Sequence, residues 1–342
     1  GGVLALAADD HACRSSTLPH GSEGEFESAM MPVLNPAGVQ DILDMGLHGW
    51  AMSRFTGRWV GFKTIAETVE SSASVNVNPH QLDIILPEDF MLPNGGLNIR
   101  WPDPPLDQEM RLHRYAVAAA QAFARANRID KIMLDAPNAR LGIVTTGKSY
   151  LDVEQALEYL GIDAKMAEDI GIRVYKVGMT WPLEPVGIRE FAEGLEDIIV
   201  VEEKRSFIES QMKEYMYNWA DSDKFGHTRP SVVGKYDEAG EWILPSTHEL
   251  TPAMIAKVIA KRLSRFFRSD AIDASLRFIE AKEHELAQPR ANFPRAAHYC
   301  SGCPHNTSTT VIEGSRALGG IGCHYMVTWM DRNTDTFTQM GG

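Results

Sequence analysis

The sequence predicts an α/β protein built on a parallel sheet covered by helices, and two observations predict it. Between residues 141 and 219, runs rich in β-branched residues alternate with helix-like segments: LGIVTT then SYLDVEQALEYLG, GIRVYKV then PVGIREFAEGL, DIIVVEE then SFIESQMKEYMYNW. Strand followed by helix, three times over, is the rhythm of parallel strands joined by helical crossovers. The second observation is composition. With 342 residues, 44% hydrophobic and 23% charged, the chain has the balance of a globular protein able to bury a sizeable core over two or three domains.

The elements follow in order. Residues 3–8 read as a short buried strand, and ADDHACRSSTLPHGSE after it as a polar loop. In NPAGVQDILDMGLHGWAMSRF, Val39, Ile42, Leu43, Gly46, Leu47 and Trp50 recur at helical spacing, with Asn35 as expected N-cap and Pro36 as first helical residue. WVGFKTI has strand character. LPNGGLNIRWPDPPLD reads as a linker and DQEMRLHRYAVAAAQAFARAN as a strong helix. In the alternating region Gly161 is placed to end its helix. Residues 226–292 are less regular, with one clear helix in STHELTPAMIAKVIAKRLSRFF. There is no internal repeat and no low-complexity segment.

The net charge of −13 disfavours nucleic acid and anionic membrane as partners, since both need a basic surface. No apolar run approaches membrane-spanning length, and VLALAA near the N-terminus lacks the basic flank of a signal peptide. The expected compartment is the cytoplasm. The chain begins without Met and stops in TQMGG, so it is expected to be an internal piece of a longer polypeptide.

One stretch competes with the sheet reading. Gly142–Ser149 spells G-x-x-x-x-G-K-S, the P-loop signature, and DIIVVEE ends an apolar strand in two acids as a magnesium-binding strand would. A P-loop needs its strand before the first glycine, where APNAR is a poor strand. Ile143, Val144, Thr145 and Thr146 lie between the glycines and favour strand themselves, leaving only TGKS to turn. Ser149 then serves as an N-cap, and Lys148 is expected to be dispensable for stability and activity. A P-loop ATPase using Gly142–Ser149 stays as the alternative.

The cysteines carry the second motif. Cys13 stands alone, while Cys300 and Cys303 form C-x-x-C and Cys323 follows twenty residues later. Such spacing points to metal or redox chemistry: zinc with His305 or His324 as fourth ligand, in a non-catalytic interaction module, or an iron–sulfur cluster whose fourth cysteine lies elsewhere.

CSGCPH…GGIGCHYM…TQMGG, with VYKVGMTWPLEP and IIVVEEKRSFIESQMK, closely resembles the indolepyruvate:ferredoxin oxidoreductases, thiamine diphosphate enzymes of the 2-oxoacid:ferredoxin oxidoreductase superfamily, in their long single-chain bacterial form. The resemblance covers essentially the whole chain. It implies a Rossmann-like, transketolase-C-terminal-like domain flanked by partial thiamine diphosphate-binding α/β domains. Residues 1–92 would be the end of a pyrimidine-binding domain, 93–128 a linker and helix, 129–225 the transketolase-C-terminal-like domain, 226–292 a connecting region, and 293–342 the start of a pyrophosphate-binding domain. The implied reaction is oxidative decarboxylation of arylpyruvates to aryl-acyl-CoA. Electrons would pass through iron–sulfur clusters to ferredoxin. The implied cofactors are thiamine diphosphate, Mg2+ and a 4Fe–4S cluster on Cys300, Cys303 and Cys323. His305, Gly341 and Gly342 would approach the cofactor, and Ser15, Ser16, Thr17 and His20 would line the pocket. The implied partners are ferredoxin, arylpyruvate, coenzyme A, the rest of the same polypeptide and further copies in a homo-oligomer. The G-D-G…N magnesium motif and the activating glutamate are not in the chain, so no catalytic residue is assigned.

Overall fold

A computed structural model describes residues 1–14, 16, 18–78, 82–217, 229–288 and 295–337. It divides into two compact units, one of residues Gly1–Ala12 and Pro19–Ile279, the other of Cys13–Leu18 and Glu280–Gly342.

The larger unit holds two sheets. The first joins β1 (Leu4–Asp9), β2 (Val33–Leu34), β3 (Val60–Ile65) and β7 (Met179–Trp181) in the order β1-β3-β2-β7. The first three strands are parallel and β7 is antiparallel. The second joins β4 (Lys131–Leu134), β5 (Leu141–Thr146), β6 (Ile172–Val177), β8 (Asp197–Val201) and β9 (Ser231–Val233) in the order β4-β6-β5-β8-β9. Only β4 runs antiparallel. The parallel sheet predicted from the alternation is therefore present.

Period-2 geometry decides what each face of the second sheet meets. Ile143, Val174, Ile199 and Val201 point to one face, under the helices Lys148–Tyr159, Ala164–Ile170 and Pro252–Leu263. Val144, Tyr175, Ile198 and Val200 point to the other, under the helices Pro185–Ala192 and Ile208–Tyr217. Every residue of β5 and β8 is buried. Gly142 sits inside β5, where a Cβ would come within 2.5 Å of Leu195 and 2.7 Å of Phe191. It is a packing glycine, not the first residue of a phosphate loop.

Two readings are revised. β9 and the helix Pro252–Leu263 fall in the stretch read as connecting, yet they extend and cover the second sheet. The helix after Asn35 spans Val39–Thr56 with Gly38 as N-cap; Asn35 instead donates from Nδ2 to Thr146 Oγ1 at 3.2 Å. Helical spacing alone leaves open which face of this helix is buried. Met45 and Met52 are buried, whereas Leu43, Leu47 and Trp50 stand 41%, 49% and 46% exposed. Gly49 explains the choice: a Cβ there would lie 2.6 Å from Leu4 and 3.1 Å from Leu34, so the helix approaches the first sheet along its glycine side.

The smaller unit carries a two-stranded parallel sheet of β10 (Ala317–Gly319) and β11 (Thr334–Phe337), with the short helices His305–Ser308 and Cys323–Met326. Tyr325 packs edge-on against Trp329 and Phe337, at centroid distances of 5.2 and 4.8 Å.

Candidate functional site

Open α/β sheets place ligands beyond the carboxyl ends of their parallel strands. Within the larger unit those ends meet at one polar pocket. Its walls include His11 after β1, Lys63 in β3, Ser149 after β5, Thr180 in β7, and Glu202 with Glu203 after β8.

The charges are arranged in pairs. Lys63 is buried and bonds Glu23, with Asp9 at 3.4 Å. Asp9 also accepts from the Ser22 N–H at 2.9 Å and lies 3.0 Å from His20 Nδ1. Burial works against the Asp9 carboxylate, but Lys63, Ser22 and His20 together hold it below its ordinary range. Burial likewise opposes the Lys63 ammonium, and Glu23 and Asp9 more than offset it. His11 is pushed down to about 3 by burial and by Lys63, so its ring is neutral.

Glu202 accepts the N–H groups of Phe207, Ile208 and Glu209 at 2.9, 2.8 and 3.1 Å, capping the helix Ile208–Tyr217. Glu203 accepts the Leu250 N–H at 3.1 Å. Burial pushes both carboxyls up to about 7 against these donors.

The turn after β5 settles the P-loop alternative. Gly147 has φ 52°, and a Cβ there would lie 2.6 Å from the Asn35 side chain. Lys148 Nζ is tied to Asp152 at 2.7 Å, Glu249 at 3.0 Å and the Leu250 carbonyl at 3.2 Å. A phosphate-binding lysine must be free to reach a ligand; this one neutralises an internal carboxylate cluster. Lys148 is accordingly a structural residue, and the expectation that it is dispensable for stability is corrected. Ser149 makes no side-chain cap bond.

Several buried polar atoms have no partner among the described residues: both ring nitrogens of His11, Ser149 Oγ and Thr180 Oγ1. Their hydrogen-bonding capacity is concentrated around this pocket, whose interior is about 10 Å3, the room of one water molecule. It does not accommodate a thiazolium or an aminopyrimidine ring, so no thiamine step is derived from these residues. His11, Lys63 and Thr180 were not singled out from sequence. The available signal was position, since His11 follows directly on the acids that close β1.

The residues expected at a site are placed as follows. His20 reaches Asp9 as described. The Ser16 carbonyl accepts from Cys13 Sγ at 2.8 Å in the smaller unit. Ser15, Thr17, Gly341 and Gly342 lie outside the described residues. Cys300 and Cys303 bracket a turn in which the Cys303 N–H bonds the Cys300 carbonyl at 3.1 Å, with Gly302 at φ 75°. Cys303 Sγ lies 3.2 Å from His305 Nδ1, and the His305 ring stacks on Tyr299 at 5.4 Å. His324 Nδ1 accepts from the Gly320 N–H at 2.8 Å. Cys300 and Cys323 are exposed, and all three cysteines are free thiols. Among the described residues no group of three or more His, Cys, Asp or Glu is placed to hold a metal ion. The residues as arranged do not fit a cluster, and no electron-transfer step is derived from them. Among the described residues, too, no helix is long and apolar enough to cross a membrane.

Residues 131–286 match the family described as the indolepyruvate oxidoreductase domain. The chain is 25% identical to the indolepyruvate oxidoreductase subunit IorA of Pyrococcus abyssi, over 100% of this chain and 50% of that one. For the subunit of Pyrococcus horikoshii the identity is 26%, with the same coverage. The chain thus spans about half the length of these curated relatives. A 2-oxoglutarate:ferredoxin oxidoreductase structure from Magnetococcus marinus aligns with TM-score 0.42 and 14% identity, over 68% of this chain and 42% of that one, a likeness too slight to carry an argument.

Proposed function

We propose that this chain, a relative of the indolepyruvate oxidoreductases, is part of a cytoplasmic 2-oxoacid oxidoreductase acting on arylpyruvates such as indolepyruvate. The reaction converts the arylpyruvate anion and the coenzyme A thiol to aryl-acyl-CoA, carbon dioxide, one proton and two electrons. Ferredoxin takes the electrons one at a time. The observation that carries the reading is the similarity of the whole of this chain to about half of the IorA subunits, with the domain match inside it.

When bound, thiamine diphosphate with Mg2+ would supply the activation of the keto carbon that lets carbon dioxide leave. Because the pocket here has no room for its rings, this reading assigns the cofactor's main contacts to sequence corresponding to the relatives' other half. It assigns His305, Gly341 and Gly342 to the cofactor side, and Ser15, Ser16, Thr17 and His20 to the substrate side. The contribution of the chain's own described residues is positional. Glu202 and Lys148 fix the helices that follow β8 and β5, and Lys63 joins Glu23 to the end of β1. The spacing of Cys300, Cys303 and Cys323 supports a 4Fe–4S cluster, which would require these thiols to be drawn together from the separate positions they take in the structure.

The test of the cluster is metal content. Protein made anaerobically from the whole reading frame should carry iron and acid-labile sulfide with a brown chromophore, and Cys303→Ser should lose one cluster's worth. Stoichiometric zinc without iron would replace this reading by the zinc module.

A further inference from the structure

A second pocket lies in the larger unit, away from the strand ends. It has a volume of about 160 Å3 and is lined by Arg58, Arg100 and Arg111, with Asn98, Asp103 and Gln108 beside them. We propose that it binds an oxyanion, the phosphate group of a small phosphorylated ligand, between the three arginines. The proposal is independent of the oxidoreductase reading.

The chain builds this pocket deliberately. Gly57 ends the helix Val39–Thr56 in the left-handed conformation at φ 67°, and a Cβ there would lie 2.5 Å from the Leu97 carbonyl oxygen. That glycine lets the loop around Leu97 close over Arg58. Arg111 comes from the helix Pro105–Arg111 and bonds the Gly96 carbonyl, which fixes the other side of the loop. Arg100 holds Asp103 at 2.9 Å. The three arginines thus come from three separate segments: Arg58 and Arg111 are each anchored by one backbone carbonyl, and Arg100 by Asp103 and by the Asn94 carbonyl at 3.4 Å, which leaves further N–H groups for a ligand.

Arg58 supplies the deciding observation. Its Nη2 donates to the Ala29 carbonyl at 3.2 Å, but its Nε is buried and finds no acceptor among the described residues. A buried charged donor without a partner is costly, and an oxyanion is the acceptor that guanidinium geometry fits best. Burial alone pulls the Arg58 guanidinium below its ordinary value, and a bound anion would oppose that shift. Asp103 and Glu109 also line the pocket and offset part of the positive field. The volume accommodates a tetrahedral oxyanion with a few waters.

The experiment is calorimetric titration of the 342-residue chain at low salt with orthophosphate and, separately, with adenosine 3′,5′-bisphosphate. Saturable binding is expected, weakened about tenfold or more in Arg58→Gln and Arg111→Gln. Asp103→Asn should tighten it by removing a competing carboxylate. Binding of the bisphosphate more than about tenfold tighter than orthophosphate makes the ligand a phosphate ester; equal affinity makes it free phosphate. If Arg58→Gln does not fold, Arg100→Gln, on the more exposed loop, takes its place. No saturable binding of either anion, or binding unchanged in the arginine variants, overturns the proposal.

Discussion

The second sheet and the cysteine-bearing unit are organised by different forces. In the sheet, β5 and β8 are buried along their full length and two hydrophobic clusters cover the two faces. In the smaller unit Ile312 is 80% exposed, Leu318 53% and Trp329 67%, and its three clustered cysteines are free. A core made by burial is specified by many residues at once, each contributing independently. A site made by ligands is specified by a few side chains, and packing alone does not draw exposed cysteines into a cluster. Regularity of fold and richness in chemically reactive residues therefore occupy different parts of this sequence.

The largest effect that would sharpen the contrast is in the sheet core. Ile199→Ala should cost about 2–5 kcal/mol, and Ile312→Ala about 0.5 kcal/mol or less. Urea denaturation of the chain measures both, and equal costs would break the comparison.

The turn after β5 comes next. Gly147→Ala forces a Cβ onto a backbone at φ 52° and toward Asn35, and should destabilise by about 2–3 kcal/mol. A neutral result would mean that the turn relaxes freely and that the sheet is less rigid than argued.

Lys148→Met should cost about 1–3 kcal/mol, because Asp152 and Glu249 lose a shared cation while largely buried. Neither parent nor variant should bind ATP. Loss of measurable ATP binding on substitution would reinstate the phosphate-loop reading of Gly142–Ser149.

The smallest effect is pH-dependent. Burial pushes the Glu202 carboxyl up to about 7 from 4.5, so the native state holds a proton that the unfolded chain releases between those values. Its contribution to stability is full below pH 4.5 and is lost as pH rises through 7. Glu202→Gln keeps an acceptor for the helix N–H groups and removes the titration. The stability difference between variant and parent should therefore move in the variant's favour by about 1 kcal/mol or more between about pH 5 and about pH 8. Melting curves across that range check the sign; a flat difference would mean Glu202 is ionised throughout.

The sheet was legible because its signal is redundant. Ile143, Val144, Ile198, Ile199 and Val200 each favour strand and each is buried, so pattern and propensity agree. Which face of the helix Val39–Thr56 is buried was not legible, since Leu43, Leu47 and Trp50 match helical spacing as well as Met45 and Met52 do. Only the close approach at Gly49 selects between them, and that is a property of Leu4 and Leu34, distant in sequence. The same holds for Asn35, a good local N-cap spent on Thr146 across a separation of 111 residues. Of the residues around the candidate site, sequence reasoning singled out His20, which reaches Asp9, but not His11 or Lys63. Their importance comes from burial beside Asp9 and Glu23, which no local pattern announces.

The central claim is tested most directly by an anaerobic assay of protein made from the whole reading frame. It is supplied with thiamine diphosphate, Mg2+, coenzyme A and indolepyruvate, with methyl viologen as electron acceptor. The account predicts viologen reduction that requires both indolepyruvate and coenzyme A and releases one carbon dioxide for every two viologens reduced. Protein that is folded and loaded with cofactor, yet reduces no viologen with indolepyruvate or any other arylpyruvate, would contradict it.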